Sequence, residues 1–134
     1  MEQLLKTINS FPDRSPSKIF FSLICACKLK GQESIDANKI YDEVFKHQDK
    51  LPYIYYSAMV SKSDFVNTLI LFNQYGIIDL LEVSENQSYM HISLSNEVIN
   101  NFFKNLNNDF KTDIFYLADK AIESNNNNYK NLCF

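Results

Sequence analysis

The stretch SKSDFVNTLILFNQYGIIDLLEVSENQSYMHISL, residues 61 to 94, decides the fold, because the hydrophobic period changes inside it. Ser61 and Asp64 have the spacing of a capping box, with Asp in place of the usual Glu or Gln. Phe65, Leu69 and Phe72 then recur at helical intervals. Gly76 stops that helix. Directly after it IIDLLEV begins with β-branched residues, and past a polar turn Met90, Ile92 and Leu94 alternate against Tyr89, His91 and Ser93. The spacing predicts a helix followed at once by a two-stranded hairpin.

Upstream, Leu4, Leu5 and Ile8 sit at helical spacing until FPDRSP breaks the pattern at residues 11 to 16. Ser15 and Pro16 mark a helix start, a capping hydroxyl before a proline at the first helical position. Ile19, Phe20, Leu23, Ile24 and Cys27 give that helix a buried face, and Gly31 ends it. Glu33 to Ile35 can add a small strand before Asp36 caps the next helix. Ile35 and Ile40 match a hydrophobic staple there, and Ile40, Val44, Phe45 and Leu51 continue the stripe. Residues 51 to 60, LPYIYYSAMV, have no clear period and read as an ordered connection. After the hairpin, Ser95 caps a helix with Val98, Ile99, Phe102, Phe103 and Leu106 on its apolar face. A last helix carrying Phe110, Ile114, Leu117 and Ala121 is expected to fade into the asparagine run at 125 to 128.

Three helices and then a hairpin are the winged-helix order, a variant of the helix-turn-helix. The expected fold is therefore mainly α with a small β-hairpin, a winged helix with extra flanking helices. Residues 1–10 are expected to end a preceding helix, 11–108 to form the winged-helix domain, 109–124 a C-terminal helix and 125–134 an asparagine-rich tail. In this arrangement residues 61 to 75 are the recognition helix and 82 to 89 the wing.

At 134 residues there is room for one domain with a real core. No apolar run reaches 18 residues and no basic-then-apolar leader opens the chain, so a soluble intracellular protein is expected. A net charge of -3 argues against a general electrostatic grip on nucleic acid, though it leaves room for a local basic face. Sixteen asparagines against two glycines read as the habit of an A·T-rich genome. Cys25, Cys27 and Cys133 are expected to be reduced thiols. With His47 and His91 far apart, no zinc spacing exists, and neither a catalytic triad nor a G-x-x-x-x-G-K-[ST] phosphate loop is present. No metal and no independent enzymatic activity are expected.

Taken together, SFPDRSPSKIFFSLICACKLKGQESIDANKIYDEVF, SKSDFVNTLILFNQYGIIDL and HISLSNEVINNFF resemble the C-terminal winged-helix domain of the origin-licensing AAA+ ATPases. That family comprises origin recognition complex subunit one and cell-division-control protein six. The likeness spans roughly residues 8 to 106. It rests on the Phe11-Pro12 entry, the KIYDEVF helix, the passage from Ser63 through Gly76 and Ile77, and the helix after the hairpin. The resemblance implies a nuclear role in DNA replication, within the pre-replicative complex. It implies contact with double-stranded origin DNA and docking onto other origin recognition complex subunits and the replicative helicase, with no membrane partner. Residues 1–10 would then be the tail of the ATPase lid. ATP and magnesium are implied only for an upstream module; this chain has no cofactor of its own. Relatives often carry basic residues at the wing, whereas here the tip is SENQS with Glu82 and Glu85 beside it.

The candidate DNA contacts are Lys62, Ser63, Asn67 and Gln74 on the third helix and Asn86, Gln87 and Ser88 at the wing. Asn and Gln match adenine edges and Ser bonds to phosphate. The alternative is that these are solvated positions. Tyr53, Tyr55, Tyr56 and Glu85 are the candidate protein interface, since an aromatic body with a polar tip suits one; covering the core is the other use for the tyrosines. Lys39, Lys46 and Lys50 with Lys28 and Lys30 can form a phosphate-facing stripe, but Asp42, Glu43 and Asp49 are interleaved, favouring a mixed solvated face.

Overall fold

The computed structural model describes residues 2–13, 15–47, 51, 61–83 and 88–132. The elements run α1 (Glu2–Ser10), α2 (Pro16–Leu29), β1 (Ser34–Asp36), α3 (Ala37–His47), α4 (Lys62–Gln74), β2 (Ile78–Val83), β3 (Ser88–Ile92), α5 (Asn96–Phe103) and α6 (Asn108–Leu132). The fold is mainly helical with a small antiparallel sheet, in a winged-helix-like order.

The helix ends follow from local chemistry. Ser15, Ser61 and Ser95 each accept a hydrogen bond from a backbone N–H of the first turn, those of Lys18, Asp64 and Val98. Gly31 and Gly76 adopt φ of +91° and +75°. Both complete the same terminating motif. Gln32 N–H donates to Cys27 O and Gly31 N–H to Lys28 O; likewise Ile77 N–H donates to Phe72 O and Gly76 N–H to Asn73 O.

Helix α2 is the axis of the core. Every residue from Lys18 to Cys27 is buried, so the helix is enclosed all round rather than on one stripe. Phe20 packs on Phe65 of α4 at 4.7 Å between ring centroids. Phe21 meets Phe72 of α4 at 5.8 Å and Phe102 of α5 at 4.8 Å. Helix α6 lies chiefly against α2 and α3, burying Phe110, Ile114, Leu117, Ala118 and Ala121. Helix α1 belongs to the same core through Ile8. Its C-terminal end is held by Lys18, whose buried ammonium sits 2.8 Å from Asp13 and donates to Asn9 O and Phe11 O. A cation there complements the negative end of the helix.

The sheet has the order β1-β3-β2, all antiparallel. In β3, Ser88, Met90 and Ile92 point inward while Tyr89 and His91 are half-buried, the expected alternation. Leu80 pairs with Met90 and Glu82 with Tyr89, so Leu81 is an extra residue in a bulge, 63% exposed.

Four expectations need correction. The small strand is Ser34–Asp36, one residue later than expected. Phe45 is off the core stripe: five positions past Ile40 turn it about 140° round the helix, and it is 61% exposed, stacked on Tyr41. The asparagine run is helix rather than tail. Asn125 is buried, and its Oδ1 accepts from Asp36 N–H at 3.2 Å. Finally, Ser88 is not at a solvent-facing tip; it opens β3, is buried, and donates its N–H to Asp36 Oδ1 at 3.1 Å.

The outer face of α4 as candidate functional site

Helix α4 is fixed by the Ser61 cap at one end and the Gly76 motif at the other, with Phe65, Leu69 and Phe72 buried and the two phenylalanine rings packed on α2. Asn73 Oδ1 accepts from Leu80 N–H at 3.1 Å and ties the helix to β2. Ser63, Asn67 and Gln74 face outward and are exposed, as the helical wheel predicts. They form a narrow polar ridge. On one flank of it stand Val66 and Ile70, on the other Leu71 and Tyr75, with exposures from 37% at Val66 to 53% at Tyr75. Leu81, turned out by the bulge in β2, adds a fifth exposed apolar side chain.

Lys62 is exposed and reaches across to α3. Its ammonium donates to Asn38 Oδ1 at 2.6 Å and lies 4.4 Å from the Tyr41 ring centroid and 5.3 Å from that of Phe65. These contacts join α3 to α4 and leave the ammonium charged. Of the stripe read from the sequence, Lys28 pairs with Glu33 at 3.7 Å, Lys30 with Asp119 at 2.7 Å and Lys46 with Glu43 at 4.0 Å, while Lys39 has no ion pair with a described residue. Glu43 also faces His47 at 3.1 Å, and His47 packs edge-on against Tyr116 of α6. Of the interleaved acids, Glu43 is the one paired with a lysine among the described residues.

Asn86, Gln87 and Glu85 at the wing tip, and Tyr53, Tyr55 and Tyr56 in the connection, lie outside the described residues, as do Lys50 and Cys133. Ser88 is removed from the exposed set by its burial. Ser63, Asn67 and Gln74 are thus brought together, while the Lys62 ammonium lies towards α3. The apolar flanks were legible in one respect: Leu69, Ile70 and Leu71 are consecutive and span about 200° of the helix, so they cannot all face the core. The exposure of Leu81 has no such signal, because a bulge depends on pairing with β3.

Among the described residues no cluster of His, Cys, Asp and Glu could hold a metal. No described helix is long and apolar enough to cross a membrane. Cys25 and Cys27 are free and buried. Burial, and then the neighbouring Cys27, raise the Cys25 thiol well above its ordinary value of 9.0. Burial and Asp119, partly offset by Lys30, push Cys27 up to about 12. Neither is a nucleophile at neutral pH. No protein family, no curated protein and no solved structure matches the chain.

Proposed function

We propose that this chain is a winged-helix module of an origin-licensing assembly in the nucleus, working mainly by docking protein through the outer face of α4 and β2. The observation that carries the docking half is the apolar flanking of the α4 ridge by Val66, Ile70, Leu71 and Tyr75, with Leu81 exposed on the strand that follows. Exposed apolar side chains on both sides of a polar ridge suit a protein surface better than a phosphate backbone. The origin-licensing half is supported by the sequence resemblance and by the winged-helix-like order of elements. Its partners are other origin recognition complex subunits and the replicative helicase. Contact with double-stranded DNA is secondary and falls to Ser63, Asn67 and Gln74, which can bond to bases but bring no charge.

A second reading, a scaffold winged helix of another multisubunit complex that binds only protein, is favoured by the engagement of Lys62 with Asn38 and Tyr41. Two measurements separate the readings. Pull-down of purified replication-complex subunits is expected to succeed with the native chain and to fail with Ile70→Asp combined with Leu81→Asp; indifference of every such subunit to the native chain rejects the origin-licensing role. Fluorescence anisotropy with duplex DNA at low salt tests the secondary contact. No binding at roughly 0.1 mM protein, the weak end of non-specific affinity, leaves docking alone.

A further inference from the structure

The outward side chains of α4 fall into two neighbouring rows at the i, i+4 spacing that makes a ridge on a helix. One row is Ser63, Asn67, Leu71 and Tyr75; the other is Lys62, Val66, Ile70 and Gln74. All eight are exposed, and Lys62 is the one charged group among them. The first row turns from polar to apolar toward the C-terminal end. The second runs from a cation through two apolar residues to a carboxamide.

Read in opposite directions, the rows match. Ser63 falls opposite Gln74, a hydroxyl to a carboxamide, and Leu71 opposite Val66. Tyr75 brings a ring to Lys62, whose ammonium already lies 4.4 Å from the Tyr41 ring centroid. The remaining pair, Asn67 with Ile70, is unlike, but it lies at the middle of the seam. A two-fold axis there brings Asn67 within about 4.5 Å of its own copy along the helix, and a carboxamide both donates to and accepts from another. Rows on one helix cannot meet, whereas rows on two copies can. A copy turned by a two-fold presents its second row to the first and its first to the second, the self-complementary contact of an isologous dimer. Charge agrees with the antiparallel sense. Each Lys62 then falls at the carbonyl end of the other α4, where a cation is favoured, and the two lysines stand at opposite ends of the seam.

We infer that α4 pairs antiparallel with the α4 of a second copy of this chain, in a register that sets Ser63 against the partner's Gln74 and Val66 against the partner's Leu71. The inference rests on the reading of this face as a docking surface, and gives it an occupant that a replication subunit must displace. Sedimentation velocity over a rising concentration series is expected to shift from the mass of one chain to that of two. Ile70→Asp should weaken this association at least about a hundredfold, because the two-fold brings both carboxylates into one seam. Its melt should stay cooperative, since Ile70 is exposed. Register is read by cysteine pairing in chains that also carry Cys133→Ser. Val66→Cys mixed with Leu71→Cys should form a disulfide between copies. Val66→Cys alone should not, since its two copies stand about 7.5 Å apart along the axis, beyond the Cβ separation of about 4 Å that a disulfide needs. A chain that stays monomeric at about 1 mM, where even weak pairing registers, overturns the inference. So does a Val66→Cys disulfide that forms as readily with itself as with Leu71→Cys. The docking of replication subunits fails separately: a monomer that still captures them rejects the dimer alone, and a dimer that captures none rejects only their docking.

Discussion

Asp36 shows how much one side chain can hold. Its Oδ1 accepts from Asn38 N–H at 3.0 Å and from Ser88 N–H at 3.1 Å, while its own N–H donates to Asn125 Oδ1. It fixes the start of α3, the first residue of β3 and the far part of α6 together. Asp36→Ala leaves buried donors without an acceptor and is expected to cost about 2 to 4 kcal/mol, read from the urea midpoint. Asp36→Asn keeps an acceptor and should cost less. The cap itself was legible, since Ile35, Asp36 and Ile40 have the staple spacing. The bonds to Ser88 and Asn125 were not, because a pairing across 52 or 89 residues leaves no local signature. The two thiols carry a pH prediction. Cys27 holds its proton to about 12 when folded and only to about its ordinary 9.0 when unfolded, so the unfolded chain binds fewer protons between those values. Stability is full below pH 9 and falls above it. The expected slope is about 1.4 kcal/mol per pH unit for each such thiol, measured by denaturant unfolding at pH 8 and pH 10 and absent from Cys27→Ala after correction for Cys25.

At the scale of elements, α4 depends on its terminus. Gly76 has φ +75° with open space where a Cβ would lie, so Gly76→Ala meets no clash and costs only the left-handed backbone conformation, about 1 kcal/mol. A much larger loss in a thermal melt would mean that the turn into β2 is tighter than its geometry indicates. Helices α2 and α4 were legible from capping serines, stop glycines and the Phe65, Leu69, Phe72 period. The length of α6 was not. Asparagine is a poor helix former, and the run at 125 to 128 is helical because Asn125 is recruited by Asp36 across the core. Propensity gave way to tertiary contact. Asn125→Ala should therefore lower stability by about 1 kcal/mol despite the better helix former it introduces.

For the molecule as a whole, net charge and the pairing of Lys18, Lys28, Lys30 and Lys46 with carboxylates point the same way. Any duplex DNA affinity should show a shallow salt dependence, a slope of log K against log salt no steeper than about −2, corresponding to one or two phosphates neutralised. A slope of −5 or beyond would require five or more phosphates neutralised, which the polar ridge of α4 does not supply. The strand order has one more consequence, in time rather than space. The centre of the sheet is the strand a ribosome makes last of the three, so Ser34–Asp36 must wait for Ser88–Ile92 before its backbone groups find partners. Asp36 then waits again, for Asn125. During synthesis the domain therefore stays unlatched until most of α6 has emerged, and a nascent chain halted before that point should remain open to protease at β1.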